Sequence, residues 1–377
     1  MDRRLFLAST LCAGLSPDIA WGAQTDSPLK QLAAAKGVRY GTSTGTHALF
    51  GDAGYAAIVA REAAMLVSEY QGKRAQLQPA PDRYDFAALD AIVAYAQRHG
   101  MAMRGHTLCW YATNPPWLDV QMKSDLPIAA KRKLLTDYVA KVAGRYRGRI
   151  AEWDVVNEAI EPADGWPLGM RTRNNIWAVL SERYIDMAFH TARAADPSAA
   201  LFLNEFGIEA ATSWNERKRH ALLLLLSRLK QRGVPIDGLG IQAHLRPYKD
   251  KFDQEVFATF LRQVTDMGLR ISITEMDFSD RGGSNDPRQR DIDMAAAAKA
   301  FLDVALDNPA TRTVMTWGVT DRYSWLTSRF ASDPWPNGGV ARALPYDANL
   351  RPKPMRTAIA QAFLDAPARP RWRRGAA

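Results

Sequence analysis

The sequence predicts a single-domain α/β protein, a closed (β/α)8 barrel of the TIM type. Three observations carry that prediction. Eight short runs of β-branched and apolar residues recur along the chain, amphipathic stretches separate them, and the polar residues at the carboxyl ends of the runs make one coherent chemical set. The chain has 377 residues, and one barrel of this kind routinely passes roughly 250 residues. No Pro/Ser-rich linker or low-complexity segment divides it. An open doubly wound sheet would place a Gly-rich phosphate turn after its first strand. Tyr40-Gly41-Thr42-Ser43-Thr44-Gly45 reproduces no such fingerprint.

Each element has its own signal. The strands are expected at 38–44, 65–71, 102–110, 150–158, 200–206, 238–245, 270–278 and 312–321, each a short apolar run. Helices are expected at 86–98, 128–147, 176–195, 216–231, 253–267 and 291–307, with 354–364 closing the barrel; several start near Asp or Pro and several stop at Gly. The run Leu222 to Leu226 reads as the inner face of a helix.

Composition narrows the function. Apolar residues at 47% and charged residues at 24% exclude disordered, collagen-like and coiled-coil classes. The net charge is +9, from 49 Lys+Arg against 40 Asp+Glu. Part of that excess lies in Arg369, Arg371, Arg373 and Arg374, within a basic tail at 367–377, and no basic stripe interleaves with aromatics, so nucleic acid is not an expected partner. The 11 Trp supply flat rings of the kind that stack on sugars.

Residues 1–23 follow the three-part plan of a bacterial export signal: Arg3-Arg4, then Leu5, Phe6, Leu7 and a short apolar run, then small residues from Ala20 to Ala23. The order Arg-Arg-x-Phe-Leu resembles a twin-arginine signal, which predicts cleavage near residue 23 and a periplasmic or secreted protein with no membrane anchor. Cys12 follows Leu11 rather than the small residue a lipid-accepting Cys needs. Cleavage would leave Cys109 alone, so neither an internal disulfide nor a thiolate metal site is expected.

A parallel barrel presents its working residues at the carboxyl ends of its strands. There the sequence places Glu69 and Lys73 after the second strand, His106 and Trp110 on the third, and Asn157-Glu158 on the fourth. Asn204-Glu205 ends the fifth, Gln242 and His244 lie on the sixth, Glu275 and Asp277 on the seventh, and Trp317 with Asp321 on the eighth. Two glutamates on different strands, among amides and aromatic rings, suit glycoside hydrolysis, which needs one neutral acid and one anion at the anomeric centre. Asn157 would reach a sugar 2-hydroxyl, and His244 with Asp277 would hold Glu275 oriented and ionised. The plainer alternatives are a structural ion pair for either glutamate, core hydrogen bonding for His106 and His244, and barrel packing for Trp110, Trp317 and Trp325; Trp117 and Trp335 fit either role. Cys109 reads as an inert buried thiol. No His-Glu-x-x-His and no His-x-His after the first strand support a metal centre, so no metal or cofactor is expected.

The blocks RGHTLCW (104–110), WDVVNEA (153–159), DGLGIQAHL (237–245), ITEMDF (273–278) and WGVTDRYSW (317–325) resemble glycoside hydrolase family 10, the endo-β-1,4-xylanases, in matching order from about residue 38 to 365. The resemblance implies a retaining mechanism with Glu158 as proton donor and base and Glu275 as nucleophile, their carboxyls about 5–5.5 Å apart. It also implies a cleft for xylan or xylo-oligosaccharides formed by Glu69, Lys73, His106, Trp110, Asn157, Gln242, His244, Trp317 and Trp325, in a monomer without cofactor. Two departures stand out: Tyr70 replaces a sugar-binding Asn, and Tyr111 replaces the usual His after Trp110. Both leave open a barrel that binds xylo-oligosaccharides without cleaving them, and because one missing hydroxymethyl is a modest steric difference, a related retaining β-1,4-glucan hydrolase stays open too.

Overall fold

The computed structural model describes residues 23–165, 167–327, 335 and 339–370. The export signal up to residue 22, and Arg371, Arg373 and Arg374, lie outside the described residues. Among the described residues nine strands form: β1 (Arg39–Thr44), β2 (Met65–Ser68), β3 (Ala102–Trp110), β4 (Glu152–Asn157), β5 (Ala200–Glu205), β6 (Gly238–Ile241), β7 (His244–Leu245), β8 (Arg270–Phe278) and β9 (Thr311–Thr316). Every pairing between them is parallel. β1 joins β2 on one side and β9 on the other, and β6 joins β8, so eight strands close a ring on which the two-residue β7 sits as a rim pairing with β8.

Register decides which side chains share a level. Trp110 lies beside Asn157, Asn157 beside Asn204, and Asn204 beside Gly240, one layer across four strands. One layer lower, His106 lies beside Asp154, and Arg104 beside Glu152 below that. Gly240 has a steric reason: a Cβ there would stand 2.2 Å from Asn204 Oδ1 and 3.1 Å from Arg104 Nη2.

The helices cover the outer face of the strands because one side of each is apolar. Arg183–Ala195 buries Tyr184, Ile185, Ala188, Phe189 and Ala192, and Ser213–Gln231 buries Leu222, Leu225, Leu226 and Leu229, the spacing of a single helical face. Asp253 starts helix Gln254–Asp266 by accepting from the N–H groups of Glu255 (3.1 Å) and Val256 (3.2 Å), and Asp286 with Pro287 starts Pro287–Asp307 earlier than its apolar pattern suggests.

The expected helix 176–195 is in fact a 3-10 turn, Ile176–Leu180, and a separate helix from Arg183, broken where Ser181 takes φ +55°. The expected strand 238–245 is interrupted at Gln242-Ala243, where Ala243 takes φ +62°. Helices Leu29–Ala35, Thr46–Gly51, Ala53–Glu62 and Pro116–Lys123 escape the sequence reading; most of them are too short for periodicity to register. Arg369, assigned from the sequence to the basic tail, is buried, and its guanidinium donates to the carbonyls of Thr311 and Leu306. No described helix is long and apolar enough to cross a membrane.

Candidate active site

The deepest layer of the barrel mouth is an ion cluster. Arg104, 1% exposed, sits between Glu152 and Asp154, with Nε 3.0 Å and 3.1 Å from the two Asp154 oxygens, and its plane lies over the Phe202 ring. Burial opposes a charged guanidinium, yet the two carboxylates outweigh it and raise its pKa. Thr313 and Ser272 donate to Glu152 at 2.7 Å and 3.2 Å. Each charge is thus paired and hydrogen-bonded, the condition for tolerating buried ions.

Asp154 carries this order upward. Its Oδ2 accepts from His106 Nδ1 at 3.1 Å, and the same imidazole stands 4.0 Å from Glu275 Oε1. On the other side, His244 Nδ1 is 2.8 Å from Asp277 Oδ1 and Nε2 is 3.4 Å from Glu275 Oε2. Both ring nitrogens of His244 therefore face carboxylate oxygens, which only accept, so the ring is an imidazolium. Burial disfavours that charge, but Asp277 and Glu275 raise the His244 pKa well above its ordinary value. Asp277 is fixed in turn by Trp325, whose Nε1 donates to Oδ2 at 2.6 Å. Burial alone would raise the Glu275 carboxyl; the charge of His106 and the hydrogen bond and charge of His244 more than offset it and hold Glu275 below the usual range.

Glu158 lives in a different environment. Its Oε1 accepts from two neutral amides, Asn157 Nδ2 at 3.1 Å and Gln242 Nε2 at 3.0 Å. Asn157 Oδ1 accepts from Asn204 Nδ2 (2.9 Å), and Asn204 Nδ2 also donates to Glu275 Oε1 (2.7 Å), so three amides join the two glutamates in one network. Glu158 takes φ +58°, and its neighbours pin that backbone: its N–H donates to Asn204 O (2.9 Å), Arg171 Nε donates to its carbonyl (2.9 Å), and Glu205 accepts from Ile160 N–H (3.0 Å). Glu205 itself is buried against Lys218 at 2.8 Å. The Arg171 guanidinium stacks 4.1 Å from the Tyr111 ring; burial first, then the nearby Glu158 carboxylate, raises the phenol pKa.

Lys73 and Glu69 flank the other side of the mouth. Lys73 Nζ lies 4.9 Å from the Trp110 ring and 5.8 Å from the exposed Tyr70 ring. Burial lowers its pKa, against the pull of Glu275, Glu69 and Glu158. The Glu69 carboxyl is pushed up to about 7, chiefly by burial, with Lys73 opposing and Asp277 and Glu275 adding to the rise. Trp317 forms the floor, 7% exposed, edge-on to His106 (5.5 Å) and His244 (6.3 Å).

The eleven residues expected as the catalytic pair and the cleft, together with Asp277, meet in this one place, whereas Asp321, expected at the end of the eighth strand, pairs with Lys353 at 2.8 Å. Trp117 and Trp335 do not contribute: Trp117 Nε1 donates to Gln78 O (3.1 Å), and Trp335 donates to Asp280 (2.7 Å) under Arg290. Cys109 is buried with its thiol pKa raised by burial, as expected of an inert core residue. Asn204, Asp154, Arg104 and Arg171 are the working parts that sequence reasoning assigned no role. The available signals were Asn204 at a strand end and Arg104 as a charge within an apolar strand. Among the described residues, no group of three or more His, Cys, Asp or Glu could hold a metal ion.

The family model for glycosyl hydrolase family 10 matches residues 28–362. Endo-1,4-beta-xylanase B of Thermotoga neapolitana is 33% identical over 344 residues, 90% of this chain and 92% of that protein. The thermostable celloxylanase of Thermoclostridium stercorarium is 33% identical over 319 residues, 78% of each chain. The crystal structure of xylanase 10B from Thermotoga petrophila RKU-1 in complex with xylobiose superposes with a TM-score of 0.79 at 30% identity, covering 90% of this chain and 98% of that one. With the closed parallel barrel and the two-glutamate mouth already described, the chain belongs to glycosyl hydrolase family 10.

Proposed function

We propose that this glycoside hydrolase is a retaining endo-β-1,4-xylanase that works by double displacement, with Glu275 as nucleophile and Glu158 as acid and base. The carrying observation is the asymmetry of the two carboxyl environments. Glu275 faces two imidazoles backed by Asp154 and Asp277, which suits an anion that must attack carbon. Glu158 Oε1 takes both amide donors, leaving Oε2 to carry a proton toward the leaving oxygen.

In the first step Glu275 attacks the anomeric carbon while Glu158 protonates the departing sugar. An ester forms on Glu275 and the glycosidic bond breaks. In the second step Glu158 takes a proton from water, which attacks the same carbon and releases Glu275. Asn157 donates to Glu158 and joins Glu275 through Asn204, and a hydrogen bond from it to the 2-hydroxyl would strengthen as charge develops. The xylanase relatives and the xylobiose-bound neighbour support xylan as the polymer. Export through the Arg3-Arg4 signal belongs to the same reading, because a polymeric substrate must be met outside the cytoplasm.

A second reading, preference for a β-1,4-glucan, rests on the celloxylanase relative and on the small steric difference that one hydroxymethyl makes between the two sugars. Proton NMR of the first-formed anomer on glucuronoxylan and on soluble cellulose tests both. A β-anomer from xylan at the higher rate is expected. A first-formed α-anomer would refute retention, and faster release from cellulose would move the substrate assignment to glucan.

A further inference from the structure

Glu209 is a buried carboxylate, 3% exposed, that the chemistry above does not use. It sits on the loop after β5. One oxygen accepts from the Ile208 N–H at 2.7 Å and the other from the Ala243 N–H at 2.9 Å. Ala243 lies between Gln242 and His244, and its φ of +62° belongs to the left-handed region that a residue with a Cβ adopts only when its surroundings enforce it. Its carbonyl is engaged as well, accepting from the Asp277 N–H at 3.2 Å. Helix Ser213–Gln231 fixes the loop from outside: Arg219 Nη1 donates to Ile208 O at 3.1 Å and to Ala210 O.

That one kinked residue sets two directions. Before the kink, Gln242 Nε2 reaches Glu158 at 3.0 Å and Asn157 at 3.3 Å. After it, His244 spans Glu275 and Asp277. An ordinary extended residue at 243 would carry the pairing of Ile241 with Ile273 on to His244 opposite Met276, whereas the kink moves the register by one residue and sets His244 opposite Asp277. We propose that Glu209 is a positioning residue: by gripping the Ala243 N–H it enforces the kink and thereby aims Gln242 at the acid/base and His244 at the nucleophile. The charged groups facing it are His244 and Arg219, and neither supplies an alternative acceptor for that N–H.

The inference rests on the two-glutamate reading, and its test keeps the two apart. Glu209→Ala and the near-isosteric Glu209→Gln are made in the native chain and again with Ala243→Gly, since glycine takes positive φ without enforcement. On xylohexaose, Glu209→Ala is expected to lose about 100-fold in kcat with KM within about 3-fold, the scale of a misaimed catalytic group. Glu209→Gln is expected to lose about 10-fold at an unchanged melting temperature. The decisive term is non-additivity: in the Ala243→Gly background the Glu209→Gln loss should shrink to about 3-fold or less, a rescue that a purely structural carboxylate would not show. Undiminished kcat in Glu209→Ala, or an equal loss in both backgrounds, overturns the proposal. Should the native chain cleave no β-1,4-glycan, the two-glutamate reading falls by itself, and a crystal structure of Glu209→Ala decides the positioning claim. Ala243 relaxed from positive φ with Gln242 withdrawn from Glu158 supports it; an unmoved segment overturns it.

Discussion

Replacing Glu69 by Gln removes a carboxyl that the fold holds at a cost, and the cost has a definite pH window. Burial, with Asp277 and Glu275 close by, raises its pKa from 4.5 to about 7 despite Lys73. A carboxyl whose folded pKa exceeds its unfolded value binds its proton more tightly in the folded state. Folding is therefore unaffected below about pH 4.5, is progressively disfavoured between 4.5 and 7, and carries the full penalty above 7. At about 1.36 kcal/mol per pH unit the penalty is about 3 kcal/mol, or about 2–3 kcal/mol once partial exposure is allowed for. Gln keeps the shape and never ionises. With an unfolding entropy of about 0.7 kcal/mol/K for roughly 340 ordered residues, the variant should melt about 3–4 °C above the native chain at pH 8 and level with it at pH 4. Differential scanning calorimetry at both pH values measures this, and a parallel loss of xylo-oligosaccharide affinity would identify the penalty as one retained for binding. A melting difference independent of pH, or a variant less stable at pH 8, would refute the reasoning.

Four further outcomes follow from the site. Glu275→Gln should lower kcat by at least about 10⁴-fold while keeping its melting temperature and oligosaccharide affinity, and Glu158→Gln should slow xylohexaose far more than an activated aryl xyloside; native rates in Glu275→Gln would end the nucleophile assignment. Arg104→Met leaves Glu152 and Asp154 without their buried partner and should cost about 3–5 kcal/mol in urea unfolding, with a loss below 1 kcal/mol counting against the ion cluster. Tyr70→Asn, measured by calorimetric titration of xylohexaose into the Glu275→Gln background, should tighten binding several-fold, worth about 1 kcal/mol; unchanged or weaker binding would show that the phenol does not obstruct the cleft.

Much of the site was legible before any coordinates because a parallel barrel converts sequence position into place: the last residues of each strand must meet at one mouth. That rule alone gathered Glu69, His106, Asn157, Gln242 and Glu275, whose positions span some two hundred residues. The barrel was legible for a related reason, since strands buried on both faces read as apolar runs. Short helices such as Thr46–Gly51 left no such trace, and the break at Ser181 depends on a backbone angle that composition does not reveal.

Residue types and their order were thus enough to determine the barrel, the chemistry offered at its mouth and the family resemblance. Only the tertiary structure decided how the two glutamates differ. Glu275 is held ionised because His106 and His244 reach it from opposite sides, and Glu158 is given amides because Asn157 at the end of β4 and Gln242 just past β6 both reach its Oε1. Both depend on register and on single dihedral angles. A side chain's ionisation follows the charges and dipoles within a few ångströms of it, and in a closed barrel those neighbours come from strands far apart in the chain.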